Sequence, residues 1–331
     1  MKIGLSYDLK DSVPWSEASP DDCLEEYDSL ETVEAIARAI EALSHSVVRL
    51  GGGRGFLSTI LKENVDLVFN IAEGLGNHRS REAQVPSVLE MLDVPYTGSD
   101  PLCLAVCLDK ALTKSLVALA GVSTPRWQVV NNPDQLRTTD WASLPVPAFV
   151  KPAHEGSSKG IRLASRADSP AQIAETVERL LERYHQPVMV EDYIAGDEVT
   201  VGVLGNSPAR VIGIMRVLPK KKTDCFVYSL EMKREWESLV DYECPAMLEP
   251  GVIERIRDAA LTAFEVLGCH DLARVDFRVA CDGRPYFLEI NPLPGLNPRS
   301  GDLPIMASKM GWTHQALISA ILDAALRRYQ Q

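Results

Sequence analysis

Asp271-Leu272-Ala273-Arg274-Val275-Asp276-Phe277-Arg278-Val279-Ala280-Cys281-Asp282-Gly283-Arg284-Pro285-Tyr286-Phe287-Leu288-Glu289-Ile290-Asn291 is the stretch on which the reading of this chain turns. Two alternating runs flank Asp282-Gly283, which reads as a two-residue hairpin turn. With Cys281 opposite Arg284, Asp276 faces Glu289 and Arg274 faces Asn291, and all four point to one side. The other side collects Val275, Phe277 and Val279 against Ile290, Leu288 and Tyr286, an apolar surface fit for a core. A slip of one residue would mix the two sets, so the pattern supports the register independently. A core face backed by a solvated polar face is the ordinary reading. Here it has to accommodate two carboxylates directly opposite each other, which destabilises a sheet unless a cation lies between them. The hard oxygens of Asp276, Glu289 and the Asn291 amide suit Mg²⁺ or Mn²⁺, an ion that also takes phosphate oxygens. Arg274 beside them is of the type that stabilises negative charge on a transferring phosphoryl group or a tetrahedral centre.

A second stretch, Lys151-Pro152-Ala153-His154-Glu155-Gly156-Ser157-Ser158-Lys159-Gly160, lies between strand signals at 148–151 and 160–164. Such a small, Gly/Ser-rich connection offers backbone N–H groups and hydroxyls to an anion, and Lys151 adds positive charge at the strand end. A glycine-rich turn alone is weak; paired with the acidic hairpin it is substantial. Glu191-Asp192-Tyr193-Ile194 and Gly196-Asp197-Glu198 offer alternating acceptors and apolar groups at a strand end, which by themselves are ordinary surface residues.

The chain of 331 residues, 46% hydrophobic and 24% charged, is long enough for two or three units with a proper core. Its formal net charge of -12 argues against nucleic acid as a partner. With no apolar run near bilayer length and no long apolar segment at the N-terminus, the expectation is a cytoplasmic protein with no membrane association. Seven cysteines form no C-x-x-C pair. Cys103 and Cys107 share a helix face, and buried apolar thiols are the reading to prefer over a metal site. Lys220-Lys221-Lys222 reads as a solvated loop.

The first hundred residues alternate strand and helix signals: strands at 2–7, 46–50 and 65–71, helices at 28–43 and 81–92. That order indicates a parallel sheet with crossover helices. Asp28 and Glu31 form a capping box at the start of the first helix. Gly51-Gly52-Gly53 lacks phosphate-loop spacing and reads as a turn. A helix over 101–121 closes this region. Strands at 127–130, 148–152, 160–164 and 188–193 follow with a helix at 170–184, then a long helix at 250–267, the hairpin, and a terminal helix at 313–329.

Taken together, these residues resemble the ATP-grasp enzymes, and specifically the D-alanine:D-alanine ligases. The resemblance covers nearly the whole chain. It rests on Val94–Ser99, Asp109-Lys110, Lys151–Ser158 with its Glu-Gly-Ser-Ser, Asp241–Ala246, Arg274-Val275-Asp276, and Glu289-Ile290-Asn291 followed by Pro294-Gly295. It implies an α/β (α+β) ATP-grasp fold of three subdomains: an N-terminal parallel-sheet domain (1–100), then central (101–190) and C-terminal (191–331) domains sandwiching ATP. It further implies that Lys110 and Lys151 contact ATP phosphates, with Ser157 in the loop closing over them. Glu191 and Glu198 would bind adenine and ribose, with Tyr193 and Ile194 lining the base pocket. Lys233 would be the mobile-loop lysine over the γ-phosphate. Asp276, Glu289 and Asn291 match the magnesium ligands and Arg274 the transition-state arginine. A homodimer is also implied.

Three departures fall where the first amino acid would be recognised. The family's E-x-E-V-S-like segment is absent after the first strand, its His-Gly pair is Glu73-Gly74, and its loop tyrosine is Arg234. Arg299-Ser300 matches loosely the serine that grips the second substrate's carboxylate, with an apparent insertion just after it; a surface loop is an equal reading. The expectation is an ATP-dependent carboxylate-amine ligase acting through an acyl phosphate on amino-acid-like substrates. D-alanine is one candidate substrate, and a peptide or secondary-metabolite precursor is another. A nucleotide-binding protein without catalysis would show damaged metal ligands, and none is damaged.

Overall fold

The computed structural model describes residues 1–16, 19–221, 223 and 226–330; Lys222 and Cys225 lie outside the described residues. β1 (Lys2–Ser6), β2 (Ser46–Gly51) and β3 (Leu67–Asn70) form a parallel sheet in the order β2-β1-β3. The parallel crossover that the alternating signals predict is therefore present. Helix Leu30–Glu41 buries Val33, Ile36, Ala37 and Ile40, one face at helical spacing, in a cluster shared with Ile3, Leu5 and the terminal helix His314–Tyr329.

β4 (Trp127–Val130), β5 (Ala148–Pro152), β6 (Arg166–Ala167) and β7 (Val188–Asp192) make an antiparallel sheet in the order β4-β7-β5-β6. Helix Pro170–Tyr184 covers it, capped by Ser169 and started by proline, whose missing N–H costs nothing at a helix start. β8 (Gly196–Leu204), β9 (Arg210–Pro219), β10 (Val240–Glu243), β11 (Leu272–Ala280) and β12 (Pro285–Asn291) form the third sheet, in the order β10-β9-β8-β11-β12. Helix Pro250–Val266 packs Ile256, Ala260 and Ala263 onto it. Among the described residues, no helix is long and apolar enough to cross a membrane.

The hairpin reaches the predicted pairing at its functional end by a different route. The Ala280 N–H donates to the Arg284 carbonyl and the Gly283 N–H to that of Ala280, so the loop is Cys281-Asp282-Gly283, with Gly283 at φ +77°. This is one residue longer than the predicted turn. A bulge at Leu288 then restores the count: Phe277 pairs with Phe287, whereas Asp276 pairs with Glu289 and Arg274 with Asn291. The core face changes accordingly. Phe287 is fully buried, edge-on to Phe277 at 6.0 Å between ring centroids, while Leu288 and Tyr286 stay half-buried.

Other local expectations shift for identifiable reasons. The first helix is capped by Ser29, whose hydroxyl accepts from the Thr32 N–H at 3.3 Å, and Asp28 lies outside the cap. Gly52 caps a short helix, Gly53–Ile60, so the glycine run is a helix start. The helix expected over 101–121 breaks at Asp109, which adopts an extended conformation and caps Lys110–Leu119 by accepting from the Leu112 N–H. Residues 160–164 form no strand; Gly160 at φ +74° and a short 3-10 turn at Leu163–Ser165 lead into β6.

Candidate active site

The break at Asp109 puts Lys110 at a helix start, facing β12. Its ammonium lies 3.0 Å from Glu289 and donates to the Glu155 carbonyl. Opposite, Arg274 holds Asp276 at 2.8 Å, contacts Asp302 at 3.3 Å and stands 4.0 Å from Glu289. The Asn291 amide donates to Asp276 at 3.3 Å, and the Thr200 hydroxyl on the adjacent strand donates to it as well. Burial alone would raise the Glu289 carboxyl, but Lys110, Lys151 and Arg274 together hold it well below the usual carboxylate range. Burial opposes the Arg274 charge, and Asp276 and Asp302 overcome it and raise its pKa. The cations beside the opposed carboxylates are thus the protein's own.

Between the four-stranded and five-stranded sheets lies a cavity walled by Phe149, Ile161, Ile194, Val217, Val227 and Leu288. The Leu288 bulge is what aims that side chain here. Lys151, Glu191, Tyr193 and Glu198 line the same cavity with Asp276 and Glu289. Glu191 lies 2.7 Å from Lys151 and 3.0 Å from Lys114. The second contact is an ion pair without hydrogen-bond alignment, and Lys114 also donates to the Thr124 hydroxyl and the Phe287 carbonyl. Burial pushes the Lys114 ammonium down to about 8 against the pull of Glu191. Glu198 is paired with Arg278 at 3.0 Å, and Arg278 and Arg166 lie over the Tyr193 ring.

A second cavity of about 340 Å³ adjoins the first and shares Lys233, Arg274, Glu289 and Asp302 with it. Lys233, on the short helix Leu230–Arg234, sits 5.2 Å over the Tyr228 ring. Ser157, in the left-handed region at φ +49°, lines this second cavity, while Ser158 lines the first. The loop that carries them is pinned from beneath. Glu155 and Glu26 share Arg81 and Lys159 in a buried network at 2.5–3.1 Å.

Glu73 lines the second cavity, as do Arg234 and Ser300. Arg234 is already engaged, 2.6 Å from Glu25. Arg299 stays outside: its side chain is 81% exposed and reaches Glu31, so Ser300 alone of that pair faces the cavity. Sequence reading missed Lys114, Arg278, Asp302 and Glu82. Lys114 carried a signal, one helical turn beyond Lys110 on the same face. Asp302 carried none, since it reaches Arg274 only through the fold. Cys269 joins Cys103 and Cys107 in the apolar cluster under the third sheet, with Sγ separations of 3.6 Å and 3.8 Å.

A family model described as D-ala D-ala ligase C-terminus matches residues 116–323. A D-alanine–D-alanine ligase of Aquifex aeolicus is 32% identical over 294 residues, covering 89% of this chain and 94% of that one. An uncharacterised protein of Sinorhizobium fredii, y4sG, is 33% identical over 305 residues, covering 89% of this chain and 88% of its own. Among solved structures, a D-alanine–D-alanine ligase from Bacillus anthracis complexed with ATP superposes with a TM-score of 0.77 at 22% identity, over 100% of this chain and 99% of that one. The VanG D-Ala:D-Ser ligase of Enterococcus faecalis gives 0.74 at 22% identity, over 98% and 99%. The matched domain and the extent of these alignments establish that the chain belongs to the D-alanine–D-alanine ligase family, with its ATP-grasp fold.

Proposed function

We propose that this ATP-dependent, carbon-nitrogen bond-forming ligase joins an amino-acid carboxylate to an amine through an acyl phosphate, on a pair of substrates other than two D-alanines. The observation that carries the reading is the convergence of Lys110, Lys151, Arg274, Asp276, Glu289 and Asn291 where the two cavities meet. In this reading ATP lies in the apolar-walled cavity, its base against Tyr193 and Ile194, with Glu191 and Glu198 toward adenine and ribose. Lys110, Lys151 and Lys233 face the phosphates and Ser157 the transferring end. The donor set fits a hard divalent ion: two carboxylates opposed across a ladder, with an amide oxygen two pairs along on the same face. Asp276, Glu289 and Asn291 would hold Mg²⁺, which neutralises phosphate charge when bound.

The substrate carboxylate oxygen attacks the γ-phosphorus and ADP leaves. The neutral amine then attacks the acyl carbon, the C–N bond forms, and as the tetrahedral centre collapses phosphate departs and takes up the proton that nitrogen loses. Arg274 sits where charge develops in both steps. The departures at Glu73 and Arg234 set the substrate apart. The chain divides at residues 100 and 190 and acts as a cytoplasmic homodimer in the same proposal, and light scattering in solution reads the assembly. The decisive assay is phosphate release across D- and L-amino acids, singly and in pairs, with mass spectrometry of products. D-alanyl-D-alanine formed faster than every other product would overturn the substrate part.

A further inference from the structure

Charge in the second cavity does not balance. Eight carboxylates and five cationic side chains line it. Most are matched: Glu26 and Glu155 with Arg81 and Lys159, Glu25 with Arg234, Glu289 with Lys110, Asp302 with Arg274. Asp28, Glu73 and Glu82 remain, and so do two lining cations: Lys10, which lies 4.0 Å from Glu25 and acts on Asp28, and Lys233 over the Tyr228 ring. Asp28 has the Thr32 hydroxyl. Glu82 is only 8% exposed, lines the cavity, and has no hydrogen bond or ion pair among the described residues. Glu73 is likewise without one.

Backbone geometry brings these carboxylates together. Gly74 is at φ +79°, and a Cβ there would lie 2.0 Å from the Arg81 carbonyl oxygen, so the Glu73-Gly74 segment runs directly against Arg81-Glu82. The Gly74 N–H is tied to Asp8 at 2.9 Å. Burial pushes both glutamates up, Glu82 to about 7, and Glu26 adds to the rise at both, Glu82 to that at Glu73. A buried carboxylate without a partner is costly unless something positive meets it.

A single metal ion would find too few ligands here. Among the described residues, the three cysteines alone bring three His, Cys or carboxylate ligand atoms within 4.8 Å of one another, so no third such ligand joins Glu73 and Glu82. An extended organic cation spans them. A zwitterionic amino acid brings an ammonium and a carboxylate and leaves the excess unchanged, whereas one with a basic side chain brings the additional positive charge. Resting on the ligase reading above, we propose that the amino-acid substrate entering this end of the cavity carries an ammonium or guanidinium side chain, received by Glu73 and Glu82.

The test separates the two readings by measuring binding and turnover independently. Calorimetry, with Mg²⁺ and a non-hydrolysable ATP analogue present, compares lysine with norleucine and arginine with citrulline, in both enantiomers. The basic member of at least one pair should bind at least about tenfold tighter, near the worth of one partly buried charge contact. Glu82→Gln and Glu73→Gln, which keep shape and remove charge, should shrink that ratio at least about fivefold while ATP-analogue affinity holds. Basic members binding no tighter than their neutral partners, or not at all, overturns the inference, as does a ratio unchanged in both variants. If phosphate release occurs with neutral pairs in that case, the ligase reading stands by itself. If basic amino acids bind tighter but no pair yields ADP, the ligase reading falls and the charge preference stands.

Discussion

Asp276 and Glu289 stand opposite each other across the β11–β12 ladder, and each is met by its own cation: Arg274 at 2.8 Å from Asp276, Lys110 at 3.0 Å from Glu289. The repulsion expected of opposed carboxylates is therefore offset inside the protein. Removing Glu289 strands the buried Lys110 ammonium, whereas removing Asp276 leaves Arg274 with Asp302.

Glu289→Gln consequently has two expected effects. Turnover should fall at least about a thousandfold, because a charge that holds the phosphate-side cations in place is gone. The metal-free protein should also lose about 2–3 kcal/mol, since Lys110 keeps its charge without its partner. Asp276→Asn should cost less stability, because Arg274 retains Asp302 at 3.3 Å. Phosphate release and denaturant melts read both; near-wild-type turnover in the two variants would refute the assignment.

Glu82 should leave a pH signature. Its carboxyl rises from 4.5 to about 7 through burial and the neighbouring Glu26, against Arg81 and Lys110, and Glu73 faces it as well. A folded-state pKa above the unfolded one means stability present below about 4.5 and lost as pH rises through about 7. Glu82→Gln removes that loss. Its melting temperature should match wild type near pH 4.5 and exceed it by at least about 2 °C at pH 8. Scanning fluorimetry at the two pH values decides, and an equal difference at both would show that titration is not involved.

The bulge predicts opposite outcomes at adjacent residues. Phe287→Ala should destabilise by about 3–5 kcal/mol, as for a buried aromatic. Leu288→Ala should be nearly neutral for stability and raise the KM for ATP about three- to tenfold, since Leu288 lines the apolar-walled cavity proposed for the nucleotide. Equal stability losses in the two variants would argue for the bulge-free register.

Gly74→Ala should be severe for a surface-connected loop. The left-handed φ and the Arg81 carbonyl at 2.0 Å from the new Cβ leave no room without parting the two segments. Loss of amino-acid binding with ATP-analogue affinity retained is the expected result, read by calorimetry.

Much of this protein was decided locally. Apolar alternation and the chemistry of a few side chains determined the parallel first sheet, the acidic hairpin with its Arg274, Asp276, Glu289 and Asn291 face, and the pairing of a basic Gly/Ser-rich loop with it. These properties depend on strand period and side-chain type, which a sequence carries directly. The turn length and the bulge were illegible individually because one offsets the other: the loop adds a residue before Arg284 and the bulge removes the shift by Glu289. Tertiary structure decided which remote cation meets which carboxylate. Asp302 lies far along the chain from Arg274, Arg81 reaches Glu26 and Glu155, and Arg299 turns to Glu31 and away from the cavity. Ion pairing depends on distances of a few ångström between remote segments, and no spacing rule in the sequence encodes them.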